Sequence, residues 1–209
     1  MKISKNTSSY DTLERFISYY YQIFLVKKFN PNKILEIGIE NKTVSSYLIN
    51  NGYDVETCDI RKDTNPDFVA DIRNLPFKNR SYDLVLAFEV LEHLPWKDFE
   101  ASLNELYRVS KKDVLISLPY SSIQFSAVIK FPFIRKIINK SFINLTFLTP
   151  FFHPNKPLSS DHYWEIGMKN YSFTKIRKYI MGSGFEIVED FRIPINNYHH
   201  FFILRKNNL

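Results

Sequence analysis

Three carboxylates stand where short apolar runs give out. Glu36 follows Ile34–Leu35 and precedes Ile37–Gly38, Asp59 closes the run DVETCD, and Asp71 ends FVAD. A carboxylate can accept both hydroxyl protons of a diol, and such charge-assisted bonds are stronger than neutral ones. A glycine just past a strand lets a ligand approach the backbone closely. A strand, a tight turn and a helix, with an acid at the tip of the next strand, is the layout that binds a nucleoside in open α/β sheets. A second group of residues could move protons. Glu92–His93 lies in FEVLEHL, and DHYWEIG at 161–167 gathers Asp161, His162, Tyr163, Trp164 and Glu165. His162, Glu165 or His93 would serve as a general base. The competing interpretation is structural: Glu92–His93 starts a helix, and Trp164 and Ile166 anchor their segment while the polar groups bond locally. His162-x-x-Glu165 lacks partner ligands in sequence, so no metal site is expected.

The elements that must position these residues follow from periodicity. Leu13, Phe16, Ile17, Tyr20 and Phe24 recur at spacings of three and four and predict a helix over 10–29, packed on a sheet or over the site. Asp11 or Thr12 would cap it and Asn30–Pro31 would end it. Strands are expected at 33–37, 54–58, FVADI, 82–88 and 113–119. YDLVLAF at 82–88 is nearly all apolar, as a central parallel strand buried on both faces should be. Helices are expected from Thr43 to Asn51, stopped by Gly52, and through the stretch in which Phe99, Leu103, Leu106 and Tyr107 share a face. After an interruption, YSFTKIRKYIMGSGF reads as a helix capped by Ser172 or Thr174. Strands at 185–193 and 199–206 follow, antiparallel across the turn PINN. His199 and His200 open what is expected to be an edge strand, one of them facing solvent.

The interruption at 120–160 holds seven phenylalanines (125, 131, 133, 142, 147, 151 and 152) among Lys130, Arg135, Lys136, Lys140 and Lys156, with no Asp or Glu. IRKIINKSF predicts a short helix there and the rest reads as irregular. It is too small to hold a core of its own. The expected organisation is one domain over 1–209, with a helical extension at 1–30 and a lid-like insertion at 120–170.

With 209 residues, 44% hydrophobic and 24% charged, the chain can bury a substantial core. Its first residues are polar, and no apolar run approaches the ~20 residues that span a bilayer. The single cysteine, Cys58, excludes an internal disulfide and reads as a buried core thiol. The reducing cytoplasm is the expected compartment. The net charge of +6 fits nucleic acid, a membrane surface or a phosphorylated substrate, or simply solvated lysine-rich faces.

Five parallel strands alternating with helices, then a helix and a terminal hairpin, carry four motifs in order: LEIG at 35–38, CDI at 58–60, ADIRNLPFKNRSYDLV at 70–85 and FEVLEHL at 88–94. In these the chain resembles the class I S-adenosylmethionine-dependent methyltransferases, over residues 30–120 by motif and 171–206 by architecture. The resemblance implies a Rossmann-like, doubly wound, mostly parallel seven-stranded α/β sheet with a terminal antiparallel hairpin. It implies S-adenosylmethionine as cofactor and S-adenosylhomocysteine as product. Glu36 and Gly38 would lie by the methionine and ribose. Asp59 would hold the ribose hydroxyls and Ile60 would pack on adenine. Asp71 would accept from the adenine amino group beside Ile72, and Phe88 or Glu89 would close the pocket near the sulfonium. The chain departs from the usual acid-x-Gly-x-Gly-x-Gly loop: Glu40 and Lys42 replace the second and third glycines. A positive φ at Glu40 would strain the loop, while its carboxylate would repel the pyrophosphate of a dinucleotide.

The insertion has three interpretations: a lid forming the acceptor site, an interfacial element touching a membrane through 120–160, or a dimer contact. The lid is preferred. The expected acceptor is a small molecule, a sugar or a lipid-linked compound. A nucleobase amine is disfavoured, since Asp/Asn-Pro-Pro-Tyr is absent after strand 4. The alternatives are a non-catalytic binding protein with a degenerate loop, or a nucleic-acid methylase gripping through the basic insertion.

Overall fold

Alternating apolar side chains on the central strands send two sets of residues to opposite faces, and helices cover both. A computed structural model describes residues 11–133, 135–136, 142–149 and 153–207. The elements that frame the sheet are α1 (Leu13–Phe29), β1 (Lys33–Ile37), α2 (Thr43–Asn50), β2 (Asp54–Asp59), β3 (Phe68–Val69), β4 (Tyr82–Phe88), α3 (Phe99–Val109) and β5 (Ser110–Pro119). After these come β6 (Gln124–Ile129), β7 (Ile143–Leu148), α4 (Phe173–Gly182), β8 (Phe185–Arg192) and β9 (His199–Lys206). The main sheet runs β3-β2-β1-β4-β5-β9-β8, and β6-β7 form a separate pair. The first five strands are parallel, and β9 is antiparallel to both β5 and β8. This is the expected Rossmann-like sheet.

Period 2 along the strands builds the two cores. Leu84, Leu86 and Phe88 of β4 join Leu25 and Val26 of α1 and Val44 and Leu48 of α2. Val85 and Ala87 face the other way, onto Phe99, Leu103 and Leu106 of α3 and Ile176 and Ile180 of α4. Cys58 is buried, and burial pushes its thiol up to about 11, so it is a core group.

Several expectations are corrected. The α1 stripe of Leu13, Phe16, Tyr20 and Phe24 faces outward, while Ser18, Tyr19, Gln22, Leu25 and Val26 are buried. The helix begins after Thr12, whose hydroxyl caps Arg15 N at 3.3 Å. β9 is an interior strand, so His199 and His200 are both buried. β3 is only two residues long and stops short of Asp71. The insertion is not irregular where it is described: β6 and β7 pair in antiparallel register from Gln124↔Leu148 to Ile129↔Ile143. Most of the short helix expected for IRKIINKSF lies outside the described residues. Among the described residues no helix is long and apolar enough to cross a membrane.

Candidate active site

Strand order reverses between β1 and β4, and this switch point is where open α/β sheets bind ligands. A cavity of about 700 Å³ opens there, at the carboxyl ends of β1, β2 and β4. Glu36, Gly38, Asp59, Ile60, Asp71, Ile72, Phe88 and Glu89 all line it.

The β1–α2 loop places two non-glycine residues in the left-handed region beside Gly38. Gly38, Glu40 and Lys42 have φ of 76°, 39° and 59°. A Cβ at Gly38 would stand 2.4 Å from Val90 Cγ2, so this glycine is required sterically as well as conformationally. Glu40 turns its carboxylate away to Arg61 at 3.0 Å. Asn41 ties the loop down, accepting from Thr43 N at 3.1 Å and donating to Asp11 at 2.9 Å.

Asp59 is held by two backbone donors, Ile39 N at 3.0 Å and Arg61 N at 2.8 Å. Its remaining lone pairs face the cavity. Beside it, Ile60 exposes 61% of its surface as an apolar platform on the cavity wall. Asp71 is gripped by Arg73, whose Nε lies 3.0 Å from both carboxylate oxygens, and this pair lowers its pKa. At the cavity floor Glu36 is buried with Oε2 unpartnered, and burial pushes its carboxyl up to about 7.

Past β4 the cavity becomes rich in titratable groups. Glu89 has φ of 53°, a left-handed conformation that a non-glycine residue keeps only where its surroundings enforce it. Its Oε1 is buried and unpartnered, and Oε2 lies 3.4 Å from His199 Nε2. Burial pushes Glu89 up to about 8 and His199 down to about 3. His199 Nδ1 meets Ser18 Oγ of α1 at 2.7 Å. Glu92 is fully buried behind Glu89 with neither carboxylate oxygen hydrogen-bonded. Burial, reinforced by the Glu89 charge, pushes its pKa well up.

The 161–167 segment docks on the turn after β4. Tyr163 N donates to Glu92 O at 2.9 Å and Trp164 Nε1 to Leu94 O at 3.0 Å. Trp164 packs edge-on to Trp96 and Phe99. This brings the His162 ring to 4.8 Å from that of His93, and both line the cavity. Both interpretations of the segment hold in part: Trp164 and Ile166 are buried anchors, and His162 faces the site. Gly167 lets the returning chain lie against Ser121 O, which a Cβ would meet at 2.4 Å.

Glu165 is fully buried and does not line the cavity. Its carboxylate accepts from His162 Nδ1 at 2.9 Å, Tyr198 Oη at 2.7 Å, Leu158 N at 3.0 Å, Ser159 N at 3.1 Å and Ser121 Oγ. Burial opposes its charge, but these bonds outweigh it and hold the carboxyl at about 2. So engaged, Glu165 orients His162 rather than receiving a substrate proton. Burial and the neighbouring His162 push His93 below its ordinary range.

Sequence reasoning missed Ser18, Tyr198 and His199 as cavity residues. They come from the first helix and the start of β9, and no local pattern joins them. Glu92 carried a signal, three positions after Glu89 and beside His93, but not its burial.

Residues 35–118 match a family model described as a methyltransferase domain. The chain thus carries a methyltransferase domain. The methyltransferase fold recurs in solved structures of low sequence identity. A Synechocystis PCC 6803 magnesium protoporphyrin IX methyltransferase superposes with a TM-score of 0.62 at 15% identity, over 93% of this chain and 84% of that one. A Burkholderia thailandensis 1,6-didemethyltoxoflavin-N1-methyltransferase gives 0.60 at 12%, over 93% and 78%. The small RNA methyltransferase HEN1 gives 0.61 at 12%, over 93% of this chain but 25% of that one. No curated protein sequence matches this methyltransferase significantly. The Synechocystis and Burkholderia structures both hold S-adenosylhomocysteine.

Proposed function

We propose that this methyltransferase methylates a hydroxyl group of a lipid-linked acceptor presented at a membrane surface. The observation that carries this reading is the inverted β6–β7 hairpin. On one face Phe125 pairs with Phe147, Ala127 with Leu145 and Ile129 with Ile143, and Phe125 and Phe147 are each 66% exposed. The opposite face, which carries Val128 and Asn144 as well, joins Ser126 to Thr146 at 3.2 Å and to Asn197 of the body. An apolar face turned outward needs something other than water to cover it. Phe131, Phe133, Lys130, Arg135 and Lys136 continue the exposed surface, a mixture suited to the headgroup region of an anionic bilayer.

The geometry connects that surface to the cavity. The residue after Asn197 is Tyr198, a cavity wall. A second, apolar groove of about 300 Å³ lies between Phe16, Ile17, Tyr20 and Tyr21 of α1 and Phe142, Pro194 and Ile195. It would take an acyl or prenyl chain while the polar head enters the main cavity. The insertion acts as a lid, contributing Ser159, Asp161 and His162 to the cavity wall.

The cofactor would lie with its methionine over Glu36 and Gly38, its ribose on Asp59 and its adenine between Ile60 and Ile72, with Phe88 near the sulfur. Asp71 reaches adenine only by sharing its carboxylate with Arg73. Transfer is an in-line displacement: the acceptor oxygen forms a bond to the methyl carbon as the carbon–sulfur bond breaks. Sulfur keeps the electron pair and S-adenosylhomocysteine leaves. The hydroxyl proton passes to Glu89 in its ionised form, which lines the cavity. Near-attack positioning supplies most of the rate.

Two measurements test this. Calorimetry should show micromolar S-adenosylmethionine binding that Asp59→Ala loses. Methyl-labelled cofactor, incubated with protein and a membrane lipid extract, should deliver label to the organic phase. Label confined to water-soluble products, or to RNA with salt-sensitive binding, would overturn the lipid-linked acceptor.

A further inference from the structure

We infer that Glu92, His93 and His162 form a binding site for a divalent transition-metal ion at the acceptor end of the cavity. One donor atom from each lies within 4.8 Å of the others. His162 Nε2 stands 3.9 Å from Glu92 Oε1, too far for a hydrogen bond. Two donors bound about 2.1 Å from one ion stand about 3 to 4 Å apart. The Glu92–His162 spacing therefore suits shared ligation, and the set, which spreads to 4.8 Å, has to draw in by about half an ångström around an ion.

Each ring is already turned for the task. His93 Nδ1 lies 3.0 Å from the Asp161 carbonyl, which can only accept, so Nδ1 carries the hydrogen. His162 Nδ1 lies 2.9 Å from Glu165 Oε1, an oxygen that already accepts from Leu158 N, Ser159 N and Tyr198 Oη. In the neutral rings the lone pair is left on Nε2 of both. Metal-binding histidines characteristically donate their other N–H to a carbonyl or carboxylate, and both forms are present here. Glu92 supplies an independent observation. It is fully buried, yet neither oxygen has a hydrogen-bond partner. A buried polar group with no hydrogen-bond partner calls for an explanation, and a bound ion is one.

Two imidazoles and one carboxylate, with the remaining positions open to the cavity, suit Mn²⁺, Fe²⁺, Co²⁺ or Zn²⁺ better than Mg²⁺ or Ca²⁺, which prefer all-oxygen sites. Such an ion would take the acceptor hydroxyl as a further ligand, fixing its oxygen towards the methyl group and making its proton easier to remove. That role rests on the hydroxyl-acceptor reading above; binding of the ion does not.

The test uses untagged protein stripped with chelator and then titrated with Mn²⁺, followed by electron paramagnetic resonance, and with Co²⁺, followed by visible absorption. Neither cofactor nor acceptor is present, so failure of the acceptor reading leaves the result intact. The expected result is one Mn²⁺ per chain, a rise in melting temperature with Mn²⁺, and a Co²⁺ spectrum of nitrogen and oxygen ligation. Glu92→Gln and His162→Ala should each weaken Mn²⁺ binding at least a hundredfold while keeping S-adenosylmethionine affinity. Glu165→Gln, which alters the acceptor behind His162 and replaces no ligand, should weaken it roughly 10- to 100-fold. Should Glu92→Gln not fold, His162→Ala on the cavity wall decides. No binding to the wild type at millimolar Mn²⁺ or Co²⁺, or equal binding by the folded variants, would overturn the site.

Discussion

Glu36 is a carboxyl group that the fold holds out of water without a full set of partners. Burial raises it from 4.5 to about 7. A raised carboxyl favours the folded state when protonated, so its contribution is intact below about pH 4.5 and is lost as pH climbs through 7. Glu36→Gln should therefore be more stable than the wild type above pH 7, by up to about 3 kcal/mol. The two should converge below pH 4.5, as urea melts across this range will show. Glu89, at the reacting end, calls for a kinetic test. Glu89→Gln should lower turnover 100-fold or more, with calorimetric cofactor affinity unchanged; full activity would remove it as proton acceptor. At this scale the residues at the strand tips were legible as cavity lining and those of the far wall were not. Glu36, Gly38, Asp59 and Asp71 each sit at the end of a strand or just beyond it, where an apolar run stops. Glu92 and His162 meet across 70 positions, and their meeting depends on how Trp164 docks. The departure at Glu40 and Lys42 does not rebuild the loop: both residues accept positive φ, at about 1–2 kcal/mol each.

Two elements show inverted polarity. α1 turns Ser18 and Gln22 inward because its inner face borders a polar cavity as well as the sheet. Its aromatic stripe is left outside, and periodicity alone assigned the wrong face. The hairpin does the same with Phe125 and Phe147, and its strands were missed because apolar residues stand outside a core. If that face meets lipid, Phe125→Ser with Phe147→Ser should reduce cosedimentation with anionic vesicles at least tenfold. Their exposure means the melting temperature should barely move. Unchanged sedimentation would show the face serves another partner. By contrast α3, α4 and the parallel strands were readable, since their apolar sides do face a core.

Across the whole molecule, alternation of strand and helix specified the sheet, including the antiparallel return. It did not show that β9 would lie inside, between β5 and β8, and so bring His199 to the cavity. That contact has a consequence in time. Ser18 and His199 are separated by 181 positions, and Asn196 likewise binds Glu14 O at 3.0 Å across 182. During synthesis the strands that shape the nucleoside half emerge first. The cavity wall formed by Tyr198 and His199 is closed only when β9 slots in, after almost all the described chain has been made. A chain cut before β9 should therefore leave the cavity open on that side.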